Sequence, residues 1–157
     1  MVEKFQEFFW KAEKKIQTLD HLVYVTYPLV KDKKLLLKIL VEIKEAVVFC
    51  INSVLQYEYL HKQISLSKDS KENFKIFREK CSVKYKITEK EIDLITELFN
   101  LVQKHKESNF EFVRKEKIVI LSENMKTELV TIEKIKDFLL LSKNILKKVK
   151  DEFLGKI

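Results

Sequence analysis

Gly155 is the only glycine and Pro28 the only proline in 157 residues. Glycine lets the backbone turn through positive φ, or approach a phosphate with no Cβ in the way. With the single glycine near the C-terminus, no loop holds G-x-G-x-x-G, a Walker A sequence or a G-x-S-x-G nucleophile elbow. Classical dinucleotide-binding, P-loop NTPase and α/β-hydrolase folds are therefore excluded.

Helical periodicity dominates what remains. Phe5, Phe9, Ala12, Ile16, Leu19 and Val23 recur at alternating spacings of four and three, which puts them on one stripe of a first helix. Trp10 lies more than about 100° from that stripe, so it either packs on a third element or faces a partner. Pro28 lacks an N–H and disfavours helical geometry at Tyr27, which predicts an end to the first helix near Tyr24 to Thr26. Asp32 can cap a second helix with the stripe Leu36, Ile39, Leu40, Ile43, Val47, Cys50 and Val54. Its "AVVFCINSVL" stretch (46–55) is apolar almost all round, as a central helix requires.

Phe74 and Phe77 would anchor a short third helix, and Thr88 with Glu91 forms a capping box opening a fourth through about Lys106. "SNFE" (108–111) has the same form and predicts one more turn. "KIVILSENMKTELVT" (117–131) reads as a small hairpin, or as an irregular loop whose Ile and Val residues plug a bundle end. Thr131 caps a last helix, with Ile132, Ile135, Leu139, Leu146, Val149 and Phe153 inward. The expected fold is mainly α: one domain over residues 1–157, a bundle of about five helices with a small hairpin.

Composition of 46% hydrophobic and 35% charged residues suits a soluble globular protein. No apolar run approaches the ~20 residues needed to span a bilayer. The N-terminal "MVEKFQEFFWKAEKK" mixes charges through its apolar residues, unlike the h-region of a signal peptide. Cys50 and Cys81 form no C-x-x-C pair and read as free thiols. The expectation is a cytoplasmic protein, without membrane contact.

Charge is uneven along the chain. Residues 60–90 carry nine bases against four acids, while 91–103 carry three acids and no base. Of the 31 basic residues only Arg78 and Arg114 are arginine. Lysine is a point charge, whereas bidentate reading of guanine favours arginine. Such a surface would grip phosphate and read little sequence. The competing reading is a set of solvated helix faces in which lysines alternate with acids.

Catalytic constellations are hard to assemble. A second helix rising ~1.5 Å per residue separates the turn at Pro28 from His61 by roughly 40 Å, so His21 and His61 do not share a site unless that helix breaks. Glu58 and His61 match the Glu-x-x-His of di-iron bundles, but that centre needs a second copy, and Thr18 and Val102 stand where its glutamates would be. No metal, cofactor or nucleophile–base pair is expected.

A helical bundle of this size is similar in outline to the HEPN ribonucleases, whose signature is an arginine followed four to six residues later by histidine. The next histidine after Arg78 is His105, and none follows Arg114. The resemblance implies a shape and withholds the catalysis. The stretches "YVTYPLVKDKKLLLKIL", "SVLQYEYL" and "FVRKEKIVILSEN" resemble small uncharacterised helical proteins of archaea, a resemblance that implies no activity.

The resulting expectation is a non-enzymatic module contacting RNA or DNA through Arg78, Lys84 and Lys86, together with Arg114, Lys115 and Lys117 beside the hairpin. Its alternative is a protein–protein or self-association module using Trp10, Tyr24 and Tyr27. Tyr24, Tyr27, His21 and Lys31 flank the proline turn, where tyrosines commonly bury the ring and wet the hydroxyl.

Overall fold

The computed structural model describes residues 3–108, 110–114, 117–121 and 127–154. The helices are α1 (Lys4–His21), α2 (Tyr27–Val30), α3 (Lys33–Leu60), α4 (Ser70–Ile76), α5 (Glu89–Glu107) and α6 (Ile132–Leu154). α1, α3 and α6 pack on one another, and α5 closes against α3 and α6. Leu36, Ile39, Leu40, Ile43, Val47, Cys50 and Val54 are all fully buried, so α3 is the central helix its apolar sequence requires.

Local signals set three helix starts. Lys34 N–H donates to the Asp32 carboxylate at 2.9 Å, and Lys134 N–H to the Thr131 hydroxyl at 3.1 Å. The Thr88–Glu91 capping box is closed in both directions.

Pro28 does not end the first helix where expected. A π-turn over Leu22–Thr26 carries α1 directly into α2, with Tyr27 helical at φ −60° and ψ −44°. Within that turn the i→i−4 ladder is already interrupted, so a following residue without N–H breaks nothing further. The chain stops at Lys31, which takes the left-handed conformation at φ 53°.

The expected hairpin is present and gains a third strand. β1 (Phe110–Arg114), β2 (Lys117–Leu121) and β3 (Thr127–Val130) form an antiparallel meander in that order. Arg114 pairs with Lys117, and Ile118 with Val130. Ile118, Ile120 and Val130 are buried in the same core as the helices. "SNFE" starts no helix: Ser108 is instead the C-cap of α5, its hydroxyl donating to Leu121 O at 3.0 Å. Glu111 turns to His105 Nδ1 at 2.8 Å, which leaves it on a strand rather than in a capping box. Among the described residues no helix is long and apolar enough to cross a membrane.

Candidate functional site

The C-terminal end of α3 is where polar chemistry enters the core. Glu58 is only 2% exposed. Its carboxylate accepts from Lys84 Nζ at 2.7 and 2.9 Å and from the Tyr85 hydroxyl at 2.8 Å. A buried carboxylate is tolerable only with such partners. Burial and the adjacent Glu58 push the Tyr85 phenol up. Burial also pushes the Cys81 thiol up to about 11, and Cys50, deeper in the core, to about 12. Both cysteines are free and buried, so neither presents a thiolate nucleophile at neutral pH.

Two lysines close the backbone on either side of this pair. Lys62 N–H donates to Tyr59 O and Gln63 N–H to Glu58 O, the two bonds of a Schellman ending, with Lys62 left-handed at φ 60°. The same pattern recurs where Lys86 N–H meets Val83 O and Ile87 N–H meets Ser82 O, with Lys86 at φ 58°. Glycine is the usual residue at such positions, because a Cβ there costs roughly 1 kcal/mol. In a glycine-poor chain, lysine takes both places, and both side chains are exposed.

Between these two endings runs an arm made of α4 and a π-turn over Phe77–Cys81. Phe77 and Cys81 are buried, and Phe74 meets the Phe99 ring of α5 at 5.2 Å. Lys71, Lys75 and Arg78, spaced i, i+4, i+7, share an exposed face beside that anchor. Of the nine bases in residues 62–90, Lys84 alone forms an ion pair among the described residues.

A second feature adjoins the first. Phe5, Gln6, Phe9, Trp10, Tyr57 and Phe153 line a groove of about 300 Å³ between the start of α1 and the ends of α3 and α6. The Tyr57 and Phe153 rings lie 4.7 Å apart and tilted by 32°, and Phe5 meets them edge-on at 5.0 and 5.3 Å. Tyr85 is 6.1 Å from Phe153 and His61 is 4.2 Å from Tyr57. The aromatic groove and the turns bearing Lys62, Lys84 and Lys86 therefore occupy one end of the bundle.

The expected site residues are only partly brought together. Arg78 and Lys86 are exposed on the arm, and Trp10, 53% exposed, stands over the groove beside it. Lys84 is committed to Glu58. Arg114 and Lys117 lie elsewhere. Their sheet is tied to the C-terminal half of α5 through His105–Glu111 and Lys104–Glu128, whereas Lys86 precedes the α5 N-cap. The stretch of α5 from Glu89 to Lys104, roughly 23 Å, lies between those two anchorages. Lys115 falls outside the described residues.

Tyr24, 50% exposed, lies towards the opposite end of the α1 run, with Lys136 and Lys143 at 5.3 and 5.5 Å from its ring centre. Tyr27 does not face a partner: it is buried, and its hydroxyl accepts from Lys33 Nζ at 3.1 Å. The Glu-x-x-His pattern also divides, since Glu58 points into the core while His61 Nδ1 contacts Tyr57 O at 2.8 Å. Among the described residues no group of three or more His, Cys, Asp or Glu could hold a metal ion.

No protein-family model, curated protein or solved structure matches this chain.

Proposed function

We propose that this protein is a non-enzymatic helical module that grips nucleic acid through phosphates, using the arm cations Lys71, Lys75, Arg78 and Lys86. The observation that carries the reading is the absence, among the described residues, of acidic partners for these four side chains. Unpaired surface cations keep their full attraction for phosphate and release counterions when it binds. With one arginine in the arm, binding follows backbone charge rather than base sequence. Two free, buried thiols agree with a reducing compartment, and we place the protein in the cytoplasm.

Titration of the purified protein against RNA and DNA oligonucleotides at low and physiological salt tests the reading. Salt-sensitive binding supports it, and no binding at low salt removes it.

A second reading, a protein–protein or self-association module, is favoured by the half-exposed Trp10 and Tyr24 and by Leu29 and Val30 standing exposed on α2. Analytical ultracentrifugation separates the two: a concentration-dependent dimer favours this reading, and a strict monomer removes self-association.

A further inference from the structure

We propose that Lys44 and Lys106 form a seat for one phosphate group where α3 meets α5, so that a strand gripped by the arm continues across Phe74 and Phe99 onto the body of the bundle. This rests on the phosphate-binding reading and gives that interface a second part.

The two cations converge from different helices. Lys44 Nζ, on α3, lies 5.9 Å from the centre of the Phe99 ring. Lys106 follows Phe99 by seven residues on α5, about two turns along the same face. Lys44 is half-buried and Lys106 exposed. Burial first, and the charge of Lys106 second, lower the Lys44 pKa, as expected of like charges held near each other with little to offset them.

The neighbouring acids are engaged elsewhere. Glu45 acts on Lys44 in the opposite sense, but its carboxylate accepts from Lys15 Nζ at 2.6 Å. Glu107, next to Lys106, accepts from Gln103 Nε2 at 2.6 Å. One turn either side of Lys44, α3 carries only Leu40, Val41, Val47 and Val48. Among the described residues neither Lys44 nor Lys106 forms an ion pair. Phe49 offers the contrast within the same molecule. Lys11 and Lys15 also lie 5.9 Å from its ring, yet Glu7 and Glu45 pair with them. The lysines at Phe49 are neutralised, and those at Phe99 are not.

Ring contacts connect this pair to the arm. Phe74 meets Phe99 at 5.2 Å and stands one turn from both Lys71 and Arg78. Glu72 lies about 160° round α4 from Phe74, away from that contact. A phosphate between Lys44 and Lys106 would relieve their repulsion, and two ammonium groups can hold one oxyanion without reading a base.

The experiment compares the wild-type chain with Lys44→Gln/Lys106→Gln, using Lys11→Gln/Lys15→Gln as a control equal in charge. Each is titrated with a generic oligonucleotide across a salt series, and melted with and without tripolyphosphate. The Lys44/Lys106 variant should lose about one unit of salt slope, one phosphate contact, and the control almost none. Tripolyphosphate should raise the melting temperature of the wild type and of the control but not of the Lys44/Lys106 variant.

A wild-type slope in the Lys44/Lys106 variant, or equal losses in both variants, overturns the seat. The phosphate-binding reading then stands if Arg78→Gln still lowers the slope. A tripolyphosphate response confined to proteins with Lys44 and Lys106, with no oligonucleotide bound at low salt, keeps the seat and removes the nucleic-acid reading. No response to either anion removes both.

Discussion

The α6 seam and the 62–90 arm are equally lysine-rich but use their charge differently. Along α6, Lys134, Lys143, Lys148 and Lys150 pair with Glu97, Asp20, Glu91 and Glu13, so four of its six lysines are matched by acids from α1 and α5. These contacts hold helix faces together at the bundle surface. Among the described residues, Lys84 alone of the arm cations is in an ion pair, and its partner is a buried carboxylate rather than a surface one. Net charge does not distinguish the two uses; the positions of the acids do. A cation already matched by a neighbouring carboxylate has little left for a phosphate, while one with no partner retains its whole field.

The largest effect should come from the one arm lysine that is structural. Lys84→Met leaves Glu58 buried beside Tyr85 alone and should cost about 3 kcal/mol, read by denaturant unfolding. Adding Glu58→Gln should recover much of that loss, and no recovery would mean that the pair is not what holds the arm on α3.

Arg78→Gln sharpens the contrast from the other side. It should leave stability within ~0.5 kcal/mol, as expected for an exposed side chain. It should also reduce the salt slope of nucleic-acid binding by about one phosphate contact.

Glu91 tests the seam. Its environment partly desolvates the carboxylate, but hydrogen bonds from Lys148 and from Thr88 N–H outweigh this and hold its pKa below the usual carboxylate range. A pKa depressed by folding means stability that is present at neutral pH and lost as pH falls through the carboxylate range towards the folded value. Glu91→Gln should therefore lower neutral-pH stability by about 1 kcal/mol and flatten the acid limb. An unchanged limb would show that the seam pairs are decorative.

Lys62→Gly is the smallest change. It relieves a left-handed Cβ and should stabilise the fold by about 0.5–1 kcal/mol while weakening binding, separating the backbone role of the residue from its charge.

Much of the fold was legible because its signals are local. Asp32, Thr88 and Thr131 each cap a helix through a side chain a few residues from its target, and the α3 stripe needs only its own periodicity. Pro28 misled because a π-turn upstream had already opened the ladder, a register change that no local pattern announces. Ser108 misled because its spacing to Glu111 fits a capping box, but His105 claims the carboxylate and Leu121 claims the hydroxyl.

The candidate site was half legible. The charge excess of residues 60–90 marks the arm, yet whether a lysine is paired depends on carboxylates far away in sequence, such as Glu58 for Lys84. Arg114 and Lys117 stand on a sheet tied to the C-terminal half of α5, a separation from the arm that no local pattern announces. Of the aromatic groove only Trp10 stood out, by lying off the α1 stripe; its meeting with Tyr57 and Phe153 joins three helices and shows in no local pattern.

The most direct test compares salt slopes between two variants carrying the same change in charge. One replaces Lys71, Lys75, Arg78 and Lys86 with glutamine; the other makes the same change at the paired α6 lysines Lys134, Lys143, Lys148 and Lys150. Plotting the logarithm of affinity against that of salt concentration for a generic single strand, the arm variant should lose about three units of slope. The seam variant should stay within about one unit of wild type. Equal losses in both would mean that overall charge, and not the unpaired arm, binds the strand.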